Sequence, residues 1–353
     1  MEFIKTEKYI QGKFDKPINF LELKKLKQIK VNQQLELIAD QDNRDLLEKY
    51  AKAGLKIIPI RRFSDKDWSK RTDFPNRILL EMTSRCNMDC RMCPRQNLKR
   101  PSIDFDKDLY LKVVDELDQY GVEGVWLFHL GEPLLHPDWQ EIVNYVSAKK
   151  NLGMIWFSSN GVALDEEKID FILNSGITFM NFSLHGTNED TFGFVSPKYL
   201  YKKVRANADL LIKKKKELGK GPSLHIQMID QEGTHDNIDE FLETFYNTGE
   251  VVSINTLEYA NLPNNKYGLK RERPSMVKKC WRITRGDCFI VSNGDIQPCD
   301  AAYNSEILLG NIKENSVYDI WNSPERKKIL ELNEKGEMYK IDHCKKCTDH
   351  DLG

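Results

Sequence analysis

Long apolar runs are missing from this chain. No window approaches the length needed to cross a bilayer, and the opening MEFIKTEKYIQGKFDK has neither an apolar core nor a small-residue cleavage pattern. The expectation is therefore a cytoplasmic protein with no membrane association. An excess of either charge is missing as well. The 53 basic and 54 acidic side chains almost cancel, so no global field would draw the chain to nucleic acid or an acidic membrane surface. The one basic run, Lys213 to Lys216, reads as the solvated end of a helix. No internal repeat and no low-complexity tract interrupts the pattern. What remains is an ordinary globular composition, 353 residues with 40% hydrophobic, enough for one large domain and a smaller one. Eight cysteines stand out. In a reducing compartment they point to metal or redox chemistry rather than to structural disulfides.

From about Arg77 to Asn255, short β-branched runs alternate with longer amphipathic ones. Strands are expected at RILLEM, GVWLFHL, GMIWFSS, TFMNFSL, SLHIQMI and EVVSINT. Helices are expected at Asp106–Tyr120, Asp138–Ala148, Asp165–Ser175, Tyr201–Glu217 and Asn237–Asn247. Six βα units in series imply a parallel sheet. Right-handed crossovers curl it into an open, partial (β/α)6 barrel of the TIM type, with its site at the C-terminal strand ends. Three domains are expected: a small N-terminal α/β module over 1–70, the barrel over 75–260, and a C-terminal cysteine-rich module over 275–353. In the first, FLELKKLKQI and RDLLEKYAKAG read as helices, LELIAD and LKIIPIRRF as strands. A polar, turn-rich stretch around Asn261–Asn265 and Arg271–Pro274 leads into the last.

After the first barrel strand comes Thr83-Ser84-Arg85-Cys86-Asn87-Met88-Asp89-Cys90-Arg91-Met92-Cys93-Pro94, three thiols spaced C-x₃-C-x₂-C on one loop. Three soft thiolates can converge on one metal centre, and on a cubane they would leave one iron open to a small molecule. A zinc site would be expected to close with a fourth Cys or His. This spacing after the first strand of a partial barrel resembles the signature of radical S-adenosylmethionine (SAM) enzymes. Leu130-Gly131-Glu132-Pro133-Leu134-Leu135 resembles the family's G-G-E-P-L-L segment, with Leu130 in place of the first glycine. Asn160-Gly161 and Ser183-Leu184-His185-Gly186 resemble its T-N-G and S-x-D-G turns, with His185 where the family usually has Asp.

The resemblance implies an iron–sulfur enzyme that reduces SAM and removes a substrate hydrogen atom. It assigns Cys86, Cys90 and Cys93 to a [4Fe–4S] cluster, Gly131 and Glu132 to the amino end of SAM, and Ser183 to its ribose or carboxylate. Asn160 joins them in the cofactor pocket, with Met92 packed near the adenine. A flavodoxin- or ferredoxin-type electron donor is implied as partner. The carboxylate partner of SAM is not assigned.

A second set comprises Cys280, Cys299, Cys344 and Cys347, the last two in C-x-x-C. Four thiols can complete a tetrahedral site for zinc or hold a second iron–sulfur cluster. The flanking Leu309-Gly310-Asn311-Ile312 and Val317-Tyr318-Asp319-Ile320-Trp321 resemble the SPASM or twitch extension of radical SAM enzymes, which implies one auxiliary [4Fe–4S] cluster on these four cysteines. Cys288 is left over on a strand, Asp287–Val291. It reads as a buried free cysteine, and alternatively as a hydrogen-atom donor.

Several activities follow. Oxidation of a sugar- or cyclitol-type alcohol, with the second electron passing to the auxiliary cluster, is the main expectation. A radical epimerase using Cys288 and a maturase acting on a peptide precursor or a sulfatase are the alternatives, and a zinc-binding interaction protein is the distant one. No acid–base residue is assigned. His129, His185, His225 and Asp300 lie near predicted strand ends or a cluster ligand, where polar residues are more often structural hydrogen-bonders.

Overall fold

The computed structural model describes residues 73–246, 248, 250–256, 279–345 and 347, together with three short N-terminal strands, Ile10–Phe14 (β1), Glu36–Leu37 (β2) and Leu55–Ile57 (β3). β1 pairs antiparallel with β2 and with β3. β2 and β3 fall inside two runs read as strands, β1 in none; the helices expected in residues 1–70 lie outside the described residues.

In chain order there follow β4 (Arg77–Leu80), α1 (Lys107–Tyr120), β5 (Val122–Trp126), α2 (Trp139–Ser147), β6 (Leu152–Ser159), α3 (Glu166–Asn174), β7 (Phe179–Ser183) and α4 (Glu189–Val195). Next come α5 (Tyr201–Leu218), β8 (Ser223–Asp230), α6 (Ile238–Tyr246) and β9 (Val251–Thr256). The C-terminal part holds α7 (Trp281–Arg285), β10 (Asp287–Ile290), β11 (Asp295–Gln297), β12 (Gly310–Asn311), α8 (Val317–Trp321), α9 (Pro324–Glu334) and α10 (Asp342–Lys345). The fold is α/β, a partial (β/α)6 barrel with a cysteine-rich C-terminal part. It divides into two compact units, Phe63–Phe157 with Glu258–Gly353, and Met1–Arg62 with Ser158–Leu257.

In the first unit β4, β5 and β6 pair in parallel. Their apolar runs are buried, as expected of parallel strands covered on both faces. α1 begins where the Asp106 carboxylate accepts from the Leu109 amide, buries Tyr110, Val113, Val114 and Leu117 at helical spacing, and stops at Gly121 with φ 70°. β5 was expected to run on to Leu130. Its last backbone pairing is instead Leu127 N to Trp156 O, because Leu130 N turns away to the Glu81 carboxylate.

The C-terminal part adds three strands to this same sheet. β10 lies parallel to β4 with Cys288 opposite Ile78, and β11 and β12 follow antiparallel. Gly294, at φ 94°, makes the β10–β11 turn.

In the second unit β7, β8 and β9 are parallel. α4 appears in none of the periodic runs. It is a two-turn helix set by a capping box in which Asn188 accepts from Thr191 N and the Thr191 hydroxyl accepts from Asn188 N. The lysine run does end α5, but two of its members are structural. Lys214 bridges Asp170 and Glu166, and Lys215 reaches the buried Glu250 carboxylate at 2.6 Å.

Candidate active site

β4 delivers the chain to the three-cysteine loop, and the base of that loop is clamped. Thr83 bridges to Asp104 with its hydroxyl 2.7 Å from the Asp104 carboxylate, and Ser84 N donates to Ile103 O at 3.0 Å. Within the loop Cys93 N donates to Cys90 O at 2.9 Å. Arg95 donates to Met88 O and to the Asp89 carboxylate, and Gln96 to Cys90 O. Met88 and Met92 are buried beside the thiols.

The cysteines sense one another. Burial first, then the negative charge that Cys93 and Cys86 would carry, pushes the Cys90 thiol far up; burial likewise carries Cys93 to about 11, with Cys86 adding to it. A cation beside such a set would favour its thiolates, and iron is one that soft thiolates bind. Among the described residues no three His, Cys, Asp or Glu side chains close around a single ion. Three soft thiols on one short loop are a donor set that an iron–sulfur cluster would take.

Gly131 is seated against that loop. A Cβ there would come 1.9 Å from Thr83 O and 2.8 Å from Arg85 O, so only glycine permits the approach. Glu132 N donates to Arg85 O at 2.8 Å, and its buried carboxylate accepts from Leu134 N at 3.3 Å, capping the short 3₁₀ turn Pro133–Leu135.

Asn160 and Ser183 belong to the second unit. The Asn160 side-chain oxygen accepts from Val162 N at 2.9 Å beside Gly161, at φ 75°. This is a turn-forming use of the side chain. The Ser183 hydroxyl stands 3.2 Å from Asn181 Nδ2, which also donates to Gln227 Oε1 and Ser158 Oγ. Four polar side chains of β6, β7 and β8 thus meet in this unit. Asn181 and Gln227 escape sequence reasoning because no motif contains them and their contact depends on the register in which β7 meets β8. His185 is buried and takes φ 52°, a left-handed conformation that Asp, Asn and His tolerate better than most residues, which accounts for a His in the place of Asp.

The other thiols gather in the first unit. Cys280 and Cys347 act on Cys344, whose thiol is raised to about 12, by burial first; Cys299, also pushed well up by burial, senses Cys280. Cys347 N donates to Cys344 O at 3.0 Å, and Cys280 N to the Asn333 side chain at 2.6 Å. Asp300 pairs with Arg282 at 2.8 Å. Cys288 stands apart. It is 0% exposed, and the charges it senses are Arg326, Asp287 and Glu116 rather than any other thiol. Its neighbour Phe289 lies on the opposite face of β10, 6.4 Å from the His129 ring.

A group that no motif announces lies beneath the cysteine loop. The Glu81 carboxylate, completely buried, accepts from Arg100 at 2.7 Å, Ser292 N at 2.8 Å and Leu130 N at 3.3 Å, with His129 Nδ1 3.5 Å away. Burial alone would raise it; the His129 contact and the Arg100 charge outweigh that and hold it at about 2.

Residues 80–250 match the family model described as "Radical SAM superfamily", and residues 280–348 match "SPASM: Iron-sulfur cluster-binding domain". The chain is 25% identical over 321 residues to the tungsten-containing aldehyde ferredoxin oxidoreductase cofactor-modifying protein of Pyrococcus furiosus, covering 78% of this chain and 87% of that one. It is 22% identical to the S-adenosyl-L-methionine-dependent 2-deoxy-scyllo-inosamine dehydrogenase of Niallia circulans, over 77% of this chain and 92% of the relative. Among solved structures it resembles BtrN in complex with AdoMet and 2-DOIA, with TM-score 0.55 and 20% identity over 78% of this chain and 93% of that one.

Proposed function

The chain belongs to the radical SAM superfamily, with a C-terminal SPASM iron–sulfur domain, and from that membership we propose that it oxidises an alcohol carbon of a sugar- or cyclitol-type substrate by two electrons. When bound, the SAM-binding [4Fe–4S] cluster supplies one electron that cleaves SAM to a 5′-deoxyadenosyl radical, which takes a hydrogen atom from the substrate carbon. Cys86, Cys90 and Cys93 would hold that cluster, on the loop against whose base Gly131 and Glu132 are seated. Glu132 is the residue proposed for the amino group of SAM, and a role in binding SAM is likewise proposed for Ser183 and for Asn160. Cys280, Cys299, Cys344 and Cys347 hold the auxiliary cluster.

The observation that carries the oxidative reading is the second set of four cysteines, in which Cys344 senses Cys280 and Cys347, and Cys299 senses Cys280. Four protein thiolates leave no iron open to substrate, so the set suits electron relay rather than substrate activation. The balance then closes. The substrate would lose its C–H hydrogen to 5′-deoxyadenosine and its hydroxyl proton to solvent, and a cluster on Cys280, Cys299, Cys344 and Cys347 would supply the acceptor for the remaining electron. The dehydrogenase named among the relatives supports the substrate class. Cys288 is completely buried on β10, which does not favour its use as a hydrogen-atom donor.

The test is turnover of the reconstituted, reduced protein on a panel of sugars, cyclitols and peptides, scored by substrate-dependent 5′-deoxyadenosine and product mass in deuterium oxide. A cyclic alcohol product lighter by two hydrogens, made equally by Cys288→Ala, is expected. An isomer carrying one solvent deuteron, lost in Cys288→Ala, would establish epimerisation instead, and a modified peptide would move the substrate class.

A further inference from the structure

Among the described residues of the first unit, Glu81 and Arg100 are the most deeply buried charges that the proposed chemistry does not use. Their side chains are 0% and 4% exposed, and they form one pair with a geometry that reaches four stretches of chain. Glu81 itself directly follows β4 and precedes the cysteine loop. Arg100 stands where that loop returns. Leu130 N, held by one Glu81 oxygen, introduces Gly131-Glu132. Ser292 N, held by the other, belongs to the C-terminal part just beyond β10. Arg100 spends its remaining donors on the same C-terminal part, Nε on Tyr303 O at 2.9 Å and Nη1 on the Ser292 hydroxyl at 3.1 Å. The Ser292 hydroxyl in turn lies 3.1 Å from the Ser84 hydroxyl. Lys99 N and Asn97 O bind the Asn304 side chain beside it.

We infer that the Glu81–Arg100 pair is the positioning element of the primary cluster: it sets the three-cysteine loop against the Gly131-Glu132 segment and against the SPASM domain at once. The inference rests on the radical SAM reading and deepens it. The ends of the loop lie 15 residues apart, between Glu81–Ser84 and Lys99–Arg100, and a flexible loop of that length would not hold three thiols at one spacing unaided. An ion pair without solvent, with every carboxylate oxygen and most guanidinium donors engaged, permits one arrangement of the four segments. An apolar pair of the same volume could fill the space as well, but it would not dictate where Leu130 N, Ser292 N and Tyr303 O must lie. The C-terminal part is on this account a support of the SAM site as well as the holder of a second cluster. Glu81 and Arg100 touch no reacting atom and are positioning residues.

The experiment uses the full-length reconstituted protein, with the electron paramagnetic resonance spectrum of the reduced primary cluster, its change on adding SAM, and the SAM dissociation constant as readouts. The variants are Glu81→Gln, Arg100→Met and the double variant Glu81→Leu/Arg100→Met, whose apolar pair removes the uncompensated charge and restores stability. Expected are an altered SAM-induced spectrum and SAM binding weakened about tenfold to a hundredfold in all three, including the double variant, the loss that accompanies one misplaced charge-assisted hydrogen bond to SAM. Arg100→Lys should recover part of it. A double variant that unfolds like wild type and also binds SAM with the wild-type constant and spectrum would reduce the pair to packing and overturn the inference. Should Arg100→Met not fold, Ser292→Ala removes only the hydroxyl that links Arg100 to Ser84. Weakening of SAM binding by a few fold supports the inference, and unchanged binding overturns it. Wild type that shows no SAM-dependent spectrum would instead overturn the radical SAM reading on which all of this stands.

Discussion

Gly131 has no room for a side chain, and the atoms that exclude one are the backbone carbonyls of Thr83 and Arg85, which cannot swing aside as a flexible side chain would. Replacing it with alanine must push the Gly131-Glu132 segment off the cysteine loop or distort the loop itself, an overpacking that costs about 1–3 kcal/mol. Gly131→Ala is expected to weaken SAM binding by about tenfold or more while the auxiliary cluster still assembles. Titration of the reconstituted variant with SAM decides it, and wild-type affinity would show that the segment does not border the cofactor. Glycine was singled out here by its four-residue context, but the reason for it, a carbonyl from a residue 48 positions earlier, is tertiary. Glu81 illustrates the converse. Nothing in Leu80-Glu81-Met82 distinguishes a solvated carboxylate at a strand end from one that is completely buried, because the partners that make burial tolerable are contributed by residues 100, 130 and 292.

At the scale of elements, α9 supports the auxiliary thiols. Asn333, buried on that helix, accepts from Cys280 N at 2.6 Å and donates to the Thr284 hydroxyl at 3.0 Å, fixing the turn that enters α7. Asn333→Leu keeps the volume and leaves a buried amide without its acceptor, a penalty of about 1–3 kcal/mol placed on the ligand-bearing residue itself. Iron content is expected to fall from about eight to about four per chain, with SAM binding retained. Iron and sulfide analysis checks it, and a full complement would mean that Cys280 holds its position without α9. The barrel helices themselves were legible, since α1 and α3 start at carboxylates that bind their N3 amides and the apolar residues recur at helical spacing. α4 was not, because its box closes with Thr191 rather than Glu or Gln and its two turns are too short to display a period.

Across the whole molecule, stability should depend on pH through two buried histidines. Burial lowers His185 to about 4, and burial with the nearby Lys215 charge lowers His225 to about 3. Above about pH 6.5 neither the folded nor the unfolded chain protonates them, and they contribute no pH dependence. Below it the unfolded chain takes up protons that the folded one refuses, so stability falls by about 1.4 kcal/mol per pH unit for each histidine until its folded value is reached. Glu81, held at about 2, adds a loss only below the ordinary carboxylate range. Urea midpoints measured at pH 7.5 and 5.5 should therefore drop in wild type and drop less in His225→Leu, whose ring packs edge-on against Phe179. An equal drop in both proteins would remove His225 from the account.

Of this protein the sequence by itself determined what local chemistry can encode: the spacing of the three-cysteine loop, the second set of four, the six βα units, and the Gly-Glu-Pro, Asn-Gly and Ser-Leu-His-Gly turns at their strand ends. Each is a pattern carried within a few residues, read by thiol chemistry, capping or periodicity. The tertiary structure alone decided that β10 joins the barrel sheet beside β4 and that Cys288 is completely buried there, opposite Ile78. It alone decided that one buried carboxylate ties the cysteine loop to a serine 211 residues away. Strand alternation says that neighbouring side chains point to opposite faces, but which face is the core, and which distant donor waits there, follows only from the register in which the strands meet.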